Sequence, residues 1–219
     1  MDLFLAISQG IGLALATGVR PFLPPLAVGV LARADVGIDF SGTDVAFLES
    51  IPFLAAMVVV TALAALAGRI DDGRDGDQRR PIHRAIGLSL IALAIVLGAL
   101  EFAGALQDEG YAGGPGLAAG AIIAAIGAAA AAIFLGGAQA RIRTQPVHGQ
   151  AREGVAGGMT DPDGASFLTL FADAATLVAA VLAVLLPPVS YLLLGFAFWV
   201  LLERRRRAGR KYEGLRVLR

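Results

Sequence analysis

Apolar residues run in long blocks along this chain, and polar residues gather between the blocks. Six blocks stand out: Leu3–Ala32, Phe47–Ala67, Ala85–Leu106, Leu117–Ala138, Phe167–Leu186 and Val189–Leu202. A helix that crosses a bilayer needs about 20 mostly apolar residues. The middle four blocks have that length, the first is overlong and the last is short. No segment alternates apolar and polar residues over about ten positions, as membrane-barrel strands do. In lipid the remaining way to satisfy the backbone is an α-helix. The pattern therefore predicts an all-α, polytopic transmembrane helical bundle of six spans over residues 1–203, with a basic cytoplasmic tail at 204–219.

The first block is the unusual one. Arg20 sits near its middle, and Pro21, Pro24 and Pro25 follow at once. An arginine at the centre of a span costs roughly 2.5–3.5 kcal/mol on insertion scales. Proline removes a backbone donor and breaks or kinks a helix. An unfavourable charge beside broken backbone, near mid-depth, is where transporters place substrate sites. The expectation is a broken first helix that still crosses fully, with a re-entrant hairpin as the alternative.

Composition agrees with a membrane domain. The chain has 219 residues, is 57% hydrophobic and 16% charged, and has a mean hydropathy of +0.72. Soluble domains are nearer a quarter charged. There is no cysteine, which excludes disulfides and thiolate metal sites. The N-terminal MDLFLAIS lacks a basic segment, and its apolar run continues, so a retained span is expected rather than a cleaved signal.

Charge placement orients the spans. Five Arg lie between the second and third blocks, three between the fourth and fifth, and eight Lys or Arg follow the sixth. Six crossings put these sixteen on one side and Arg33 alone on the other. The positive-inside rule makes the rich side cytoplasmic. The expected location is the bacterial inner membrane, multi-pass, with both termini cytoplasmic. The tail suits anionic lipid headgroups, and no nucleic-acid partner is expected.

Two weaker patterns accompany this. A shift of 108 residues pairs Gly12 with Gly120 and Ala32-Arg33 with Ala140-Arg141; a shift of 120 pairs Phe47-Leu48 with Phe167-Leu168. These suggest a 3+3 inverted repeat of the kind found in transporters. Gly120, Ala124, Gly127, Ala128, Ala131 and Ala132 give the fourth block a small-residue face, which lets helices approach closely in lipid. That face belongs to an internal helix, or to a homo-oligomer or larger membrane complex.

Candidate chemistry is confined to ionisable residues in or beside the spans. Arg20 would pair with Glu101 or Glu49, and Asp173 lies about two turns into the fifth span. The candidate substrate site is Arg20 with Thr17, Gly18, Pro21, Pro24, Glu101, Glu49 and Asp173. Its bland counterpart is an ion pair that only fixes helix register. The loop RIDDGRDGDQRRPIHR carries Asp72, Asp75 and Arg79 in the order of a phosphotransferase motif. The following helix lacks the two further carboxylates that two-metal chemistry needs. Asp71, Asp72, Asp75 and Asp77 fit no EF-hand spacing. His83 and His148 have no acids at ligand spacing, and no phosphate loop or GxSxG element occurs. No catalytic residue, metal or cofactor is expected. The function expected is a small carrier or flippase for an anionic or lipid-phosphate substrate. The alternative is a non-transporting assembly or scaffold module packing through the fourth helix.

The run Ala16-Thr17-Gly18-Val19-Arg20-Pro21-Phe22-Leu23-Pro24, with Gly12, Gly29 and Ala32-Arg33 around it, resembles the opening of a bacterial integral-membrane family known as domain of unknown function 4126. Asp173 early in the fifth block and the Ala/Gly-rich fourth block resemble it too. The resemblance implies a helical membrane fold and implies no activity.

Overall fold

The first apolar block is two helices. In this computed structural model, which describes residues 3–70, 80–143 and 161–216 (side chains over 3–63, 87–134 and 170–206), α1 spans Leu3–Val19 and α2 spans Leu23–Arg33. Arg20 still donates its backbone N–H to Ala16, at 3.0 Å. Pro21 has no N–H to offer the carbonyl of Thr17, so the helix stops there. Pro24 and Pro25 do not break anything further. They sit in the first turn of α2, where helical N–H groups lack partners in any case. Asp35, with φ 54°, closes α2: its N–H reaches Ala32 and that of Val36 reaches Leu31, a Schellman cap.

A 3-10 turn at Ala46–Glu49 leads into α3 (Ile51–Ile70). Then come α4 (Arg80–Asp108), α5 (Gly113–Arg143), α6 (Asp161–Leu185) and α7 (Val189–Arg216). The described residues contain helices and no strand. Gly110, at φ 79°, ends α4 with a second Schellman cap, Tyr111 to Leu106 and Gly110 to Gln107. Gly87–Asp108 and Gly113–Phe134 are long and apolar enough to cross a membrane. Leu3–Val19, Leu23–Arg33, Ile51–Leu63 and Leu170–Leu185 are shorter apolar helices.

Neighbours along α1 fix its direction. Gly10 lies against Phe102 and Ala14 against Gly98, so α1 is antiparallel to α4. Gly12 lies against Ala183 and Arg20 against Asp173, so it is antiparallel to α6 as well. After α2 the chain returns to where α1 began. Gly37 packs on Val184, and its carbonyl accepts from Gln9 Nε2 at 2.9 Å. Asp39 N–H reaches Asp108 at 3.3 Å, and Gln107 Nε2 reaches Asp44 at 2.6 Å. Phe4, at the start of α1, stacks on Tyr191 at the start of α7, with centroids 5.4 Å apart.

This corrects the expected full crossing of Leu3–Ala32. Residues 3–33 form a helical hairpin whose two ends meet at one end of the bundle, with its bend at Arg20 inside. The start of α1 and the end of α7 therefore lie at opposite ends, where both termini were expected together. The inverted repeat loses half its support for the same reason. One of its pairings joins α1 and α5, which run in the same direction because both are antiparallel to α4. Segments related by an inverted repeat would run oppositely.

The tightest packing joins α1, α4 and α5 through glycines. A Cβ at Gly18 would collide with the Ala124 backbone, one at Gly127 with the Leu15 carbonyl, and one at Gly120 with Ala99 and Phe102. Gly120, Ala124 and Gly127 of the small face of α5 are thus spent on α4 and α1 within the chain, while Ala132 stays exposed. A larger apolar core gathers Leu13, Phe22, Val28, Phe40, Leu48 and Val184 under the return segment.

Candidate functional site

The break between α1 and α2 places charge where the hairpin bends. Arg20 Nε lies 2.7 Å from Asp173 Oδ1 on α6, and both side chains are about a third exposed, at 28% and 32%. Arg20 was expected to pair with Glu101 or Glu49, and neither is its ion-pair partner here. The antiparallel run of α1 on α6 decides this, because it brings residue 20 level with residue 173. Thr176, one turn further along α6, bonds back to the carbonyls of Ala172 and Asp173, both at 3.0 Å.

Glu101 has a different environment. It projects from α4 into the α1–α4–α5 contact and is only 1% exposed. Thr17 Oγ1 donates to its Oε2 at 2.5 Å, and its Oε1 has no hydrogen-bond partner among the described residues. Thr17 is itself fully buried. Gly18 acts through absence of a side chain, since its Cα packs on α5. Pro21 sets the bend, and Pro24 is buried in the first turn of α2.

Glu49 belongs elsewhere. Its backbone carbonyl faces Arg33 Nη1 at 3.5 Å, and the two residues line an open polar hollow with Asp35, Asp39 and Ser41. Asp39 there accepts from the N–H and the hydroxyl of Ser41, both at 2.7 Å, which holds its carboxyl below the usual carboxylate range. The expected eight-residue site therefore separates into a charge pair at the bend, a buried carboxyl on α4 held by Thr17, and an outlying Glu49. Among the described residues no group of three or more His, Asp or Glu could hold a metal. His148, the loop acids Asp71, Asp72, Asp75 and Asp77, and the side chain of His83 lie outside the described residues.

One feature was not anticipated from the sequence. A cavity of about 300 Å³ opens between α1, α5, α6 and α7. Its wall is almost wholly apolar, including Val19, Gly127, Phe134, Phe171, Ala172 and Thr176. Val19 and Ala172 in this wall are the chain neighbours of Arg20 and Asp173, which do not line the cavity themselves. The available signal was the stripe Ala172, Ala175, Thr176 and Ala179, small residues recurring on one face of α6.

Searches against protein-family models, curated proteins and solved structures match nothing to this chain.

Proposed function

We propose that the protein is a small membrane carrier or flippase for an amphipathic anion of the lipid-phosphate type. The observation that carries this reading is the Arg20–Asp173 pair on the bend of a helical hairpin, next in the chain to residues that line an apolar cavity. An acyl chain suits the cavity wall. The headgroup phosphate would take the place of Asp173 on Arg20, whose planar guanidinium offers a fork of donors to phosphate. The pair is partly exposed, so exchanging one anion for another requires no unpaired buried charge.

The membrane setting belongs to the same proposal. The outward helix faces are apolar, with Leu63, Leu88, Val96, Ile122, Leu170, Leu192 and Trp199 all more than half exposed. A helix apolar all round is buried or faces lipid. In this arrangement α3 to α7 cross, and the hairpin enters and leaves from one side. The sixteen Lys and Arg then face the cytoplasm of a bacterial inner membrane, with the start of α1 opposite. The likeness of the Thr17–Pro24 element to domain of unknown function 4126 is part of this reading. The alternative, an assembly module packing through the fourth helix, has Gly120, Ala124 and Gly127 of its small face already occupied inside the chain.

The test is translocation of tail-labelled phosphatidic acid in proteoliposomes, beside labelled phosphatidylcholine and free inorganic phosphate. The acidic lipid is expected to move, and Arg20→Ala to abolish movement. Arg20→Lys should impair it nearly as much, because an ammonium cannot reproduce the fork. Movement of free phosphate alone would assign the site to the inorganic anion. No protein-dependent movement of any of the three would overturn the proposal.

A further inference from the structure

Glu101 is used neither by the cavity nor by the charge pair. It lies about two turns below Asp108, at the end of α4, in the most tightly closed part of the molecule. Gly98 packs on Ala14, and Gly18 and Gly127 close α1 on α5, so backbone rather than flexible side chain seals the surroundings. Inside that seal the carboxyl meets one donor, Thr17, and keeps one oxygen without a partner.

A carboxyl in such a place is rarely only structural. A leucine or methionine would fill the volume without leaving a polar atom unsatisfied, and ionisable side chains within membrane helices recur at ion pathways and proton relays. The charged groups around it are few. On α1 the nearest in sequence to Thr17 is Arg20, which is engaged with Asp173. The described part of α5 packed here, Gly113–Phe134, has no titratable residue. On α2 the charge is Arg33, turned toward Glu49. The return segment places Asp39 and Asp44 against Asp108 and Gln107 at the far end of α4. Among the described residues no cation is therefore placed to neutralise Glu101, and a proton is the species small enough to reach it through close-packed helices.

We infer that Glu101 and Thr17 form a proton-binding site inside the bundle, in which the Thr17 hydroxyl fixes Oε2 and the proton is carried on Oε1. Thr17 lies in the last turn of α1 and Arg20 just past its end, its N–H still bonded to Ala16, so a shift of that turn moves both the Glu101 contact and the Asp173 contact. Within the carrier reading this makes Glu101 the coupling site, a role that rests on that reading; the proton site itself does not.

Infrared difference spectra between high and low pH, recorded on the full chain in detergent, test the inference. A protonated-carboxyl C=O band at the high frequency of a carboxyl shielded from water, apart from the lower-frequency band of the solvated Asp and Glu, is expected in the wild type. It should be retained in Glu49→Gln and Asp173→Asn, and lost in Glu101→Gln, whose amide keeps the shape and the acceptor for Thr17. Thr17→Val keeps Glu101 but removes its donor, and should shift the band; this assignment does not depend on the folding of the glutamine variant. A high-frequency band that survives Glu101→Gln, or a wild type without one, would overturn the inference. The measurement needs no substrate, so its failure and the failure of the carrier reading are separate results.

Discussion

The two sides of α1 are built to opposite rules. Toward α4 and α5, glycines at 18, 98, 120 and 127 bring backbones into contact, and the polar group enclosed there, Glu101, is sealed from solvent. Toward α6 and α7, Gly12 packs closely on Ala183 and Ser190, but the C-terminal part of the same helix, from Leu15 to Val19, faces a cavity of about 300 Å³, and the polar groups near it, Arg20 and Asp173, remain about a third exposed. Close backbone packing leaves no room for a ligand and makes every added atom costly. Loose apolar packing leaves room and tolerates change. One side of α1 therefore holds the fold while the other is free to bind.

The sharpest way to break this comparison is to add the same bulk on each side. Gly18→Leu forces a Cβ into the Ala124 backbone, which has no rotamer to yield. The expected loss is about 3 kcal/mol or more, at the upper end of overpacking effects. Ala175→Leu points into the cavity and should change stability by less than about 1 kcal/mol while blocking lipid movement. Thermal unfolding in detergent measures both, and equal losses would show that the two sides are packed alike.

Removing a polar partner on each side is the next test. Thr17→Val strips Glu101 of its donor in a dry site and should cost about 1–3 kcal/mol. Asp173→Asn breaks a partly exposed pair and should cost no more than about 1 kcal/mol, with transport lost. Chemical denaturation of the two variants separates these values. A larger loss for Asp173→Asn would make the charge pair the structural element.

Gly110 offers a smaller contrast with Gly18. Nothing lies within 4 Å of a Cβ at Gly110, so Gly110→Ala meets only the strain of its left-handed φ, 79°. The expected loss is about 1 kcal/mol, and a melting-temperature comparison with Gly18→Ala distinguishes backbone strain from lack of space.

The smallest effect lies at the polar end of the hairpin. Asp39 has a folded pKa below its unfolded one because Ser41 donates to it twice. Its contribution is present above the unfolded value and disappears as pH falls through the folded one. Ser41→Ala should move the Asp39 titration back toward the ordinary carboxylate range, read by carboxyl-resolved NMR, and leave Glu101 untouched.

Much of this was legible in the residues alone. The apolar blocks mark the helices because burial in lipid or core needs unbroken apolar length. The stop at Arg20-Pro21 follows from a missing N–H, and the small face of the fourth block announced close helix contact. Seven of the eight expected site residues do concern the bend or its two acids, and Glu49 fell away because its helix start is held at the Arg33 hollow.

What the sequence could not settle is direction and register. The uneven spread of Lys and Arg carried an expectation for every later helix but is silent on Leu3–Val19, which has no charge to read. Whether that block crossed or returned was decided by packing, with Gly37 and Gln9 pinning the end of the hairpin beside its start. Three acids were available to Arg20, and composition cannot rank them. The antiparallel seating of α1 on α6 selected Asp173, and the glycine contacts with α4 turned Glu101 to Thr17. The residues determined which charges would lie in or beside apolar segments, because that follows from local hydrophobicity. Which charges would meet depends on how helices distant in sequence align, and only the assembled bundle decides that.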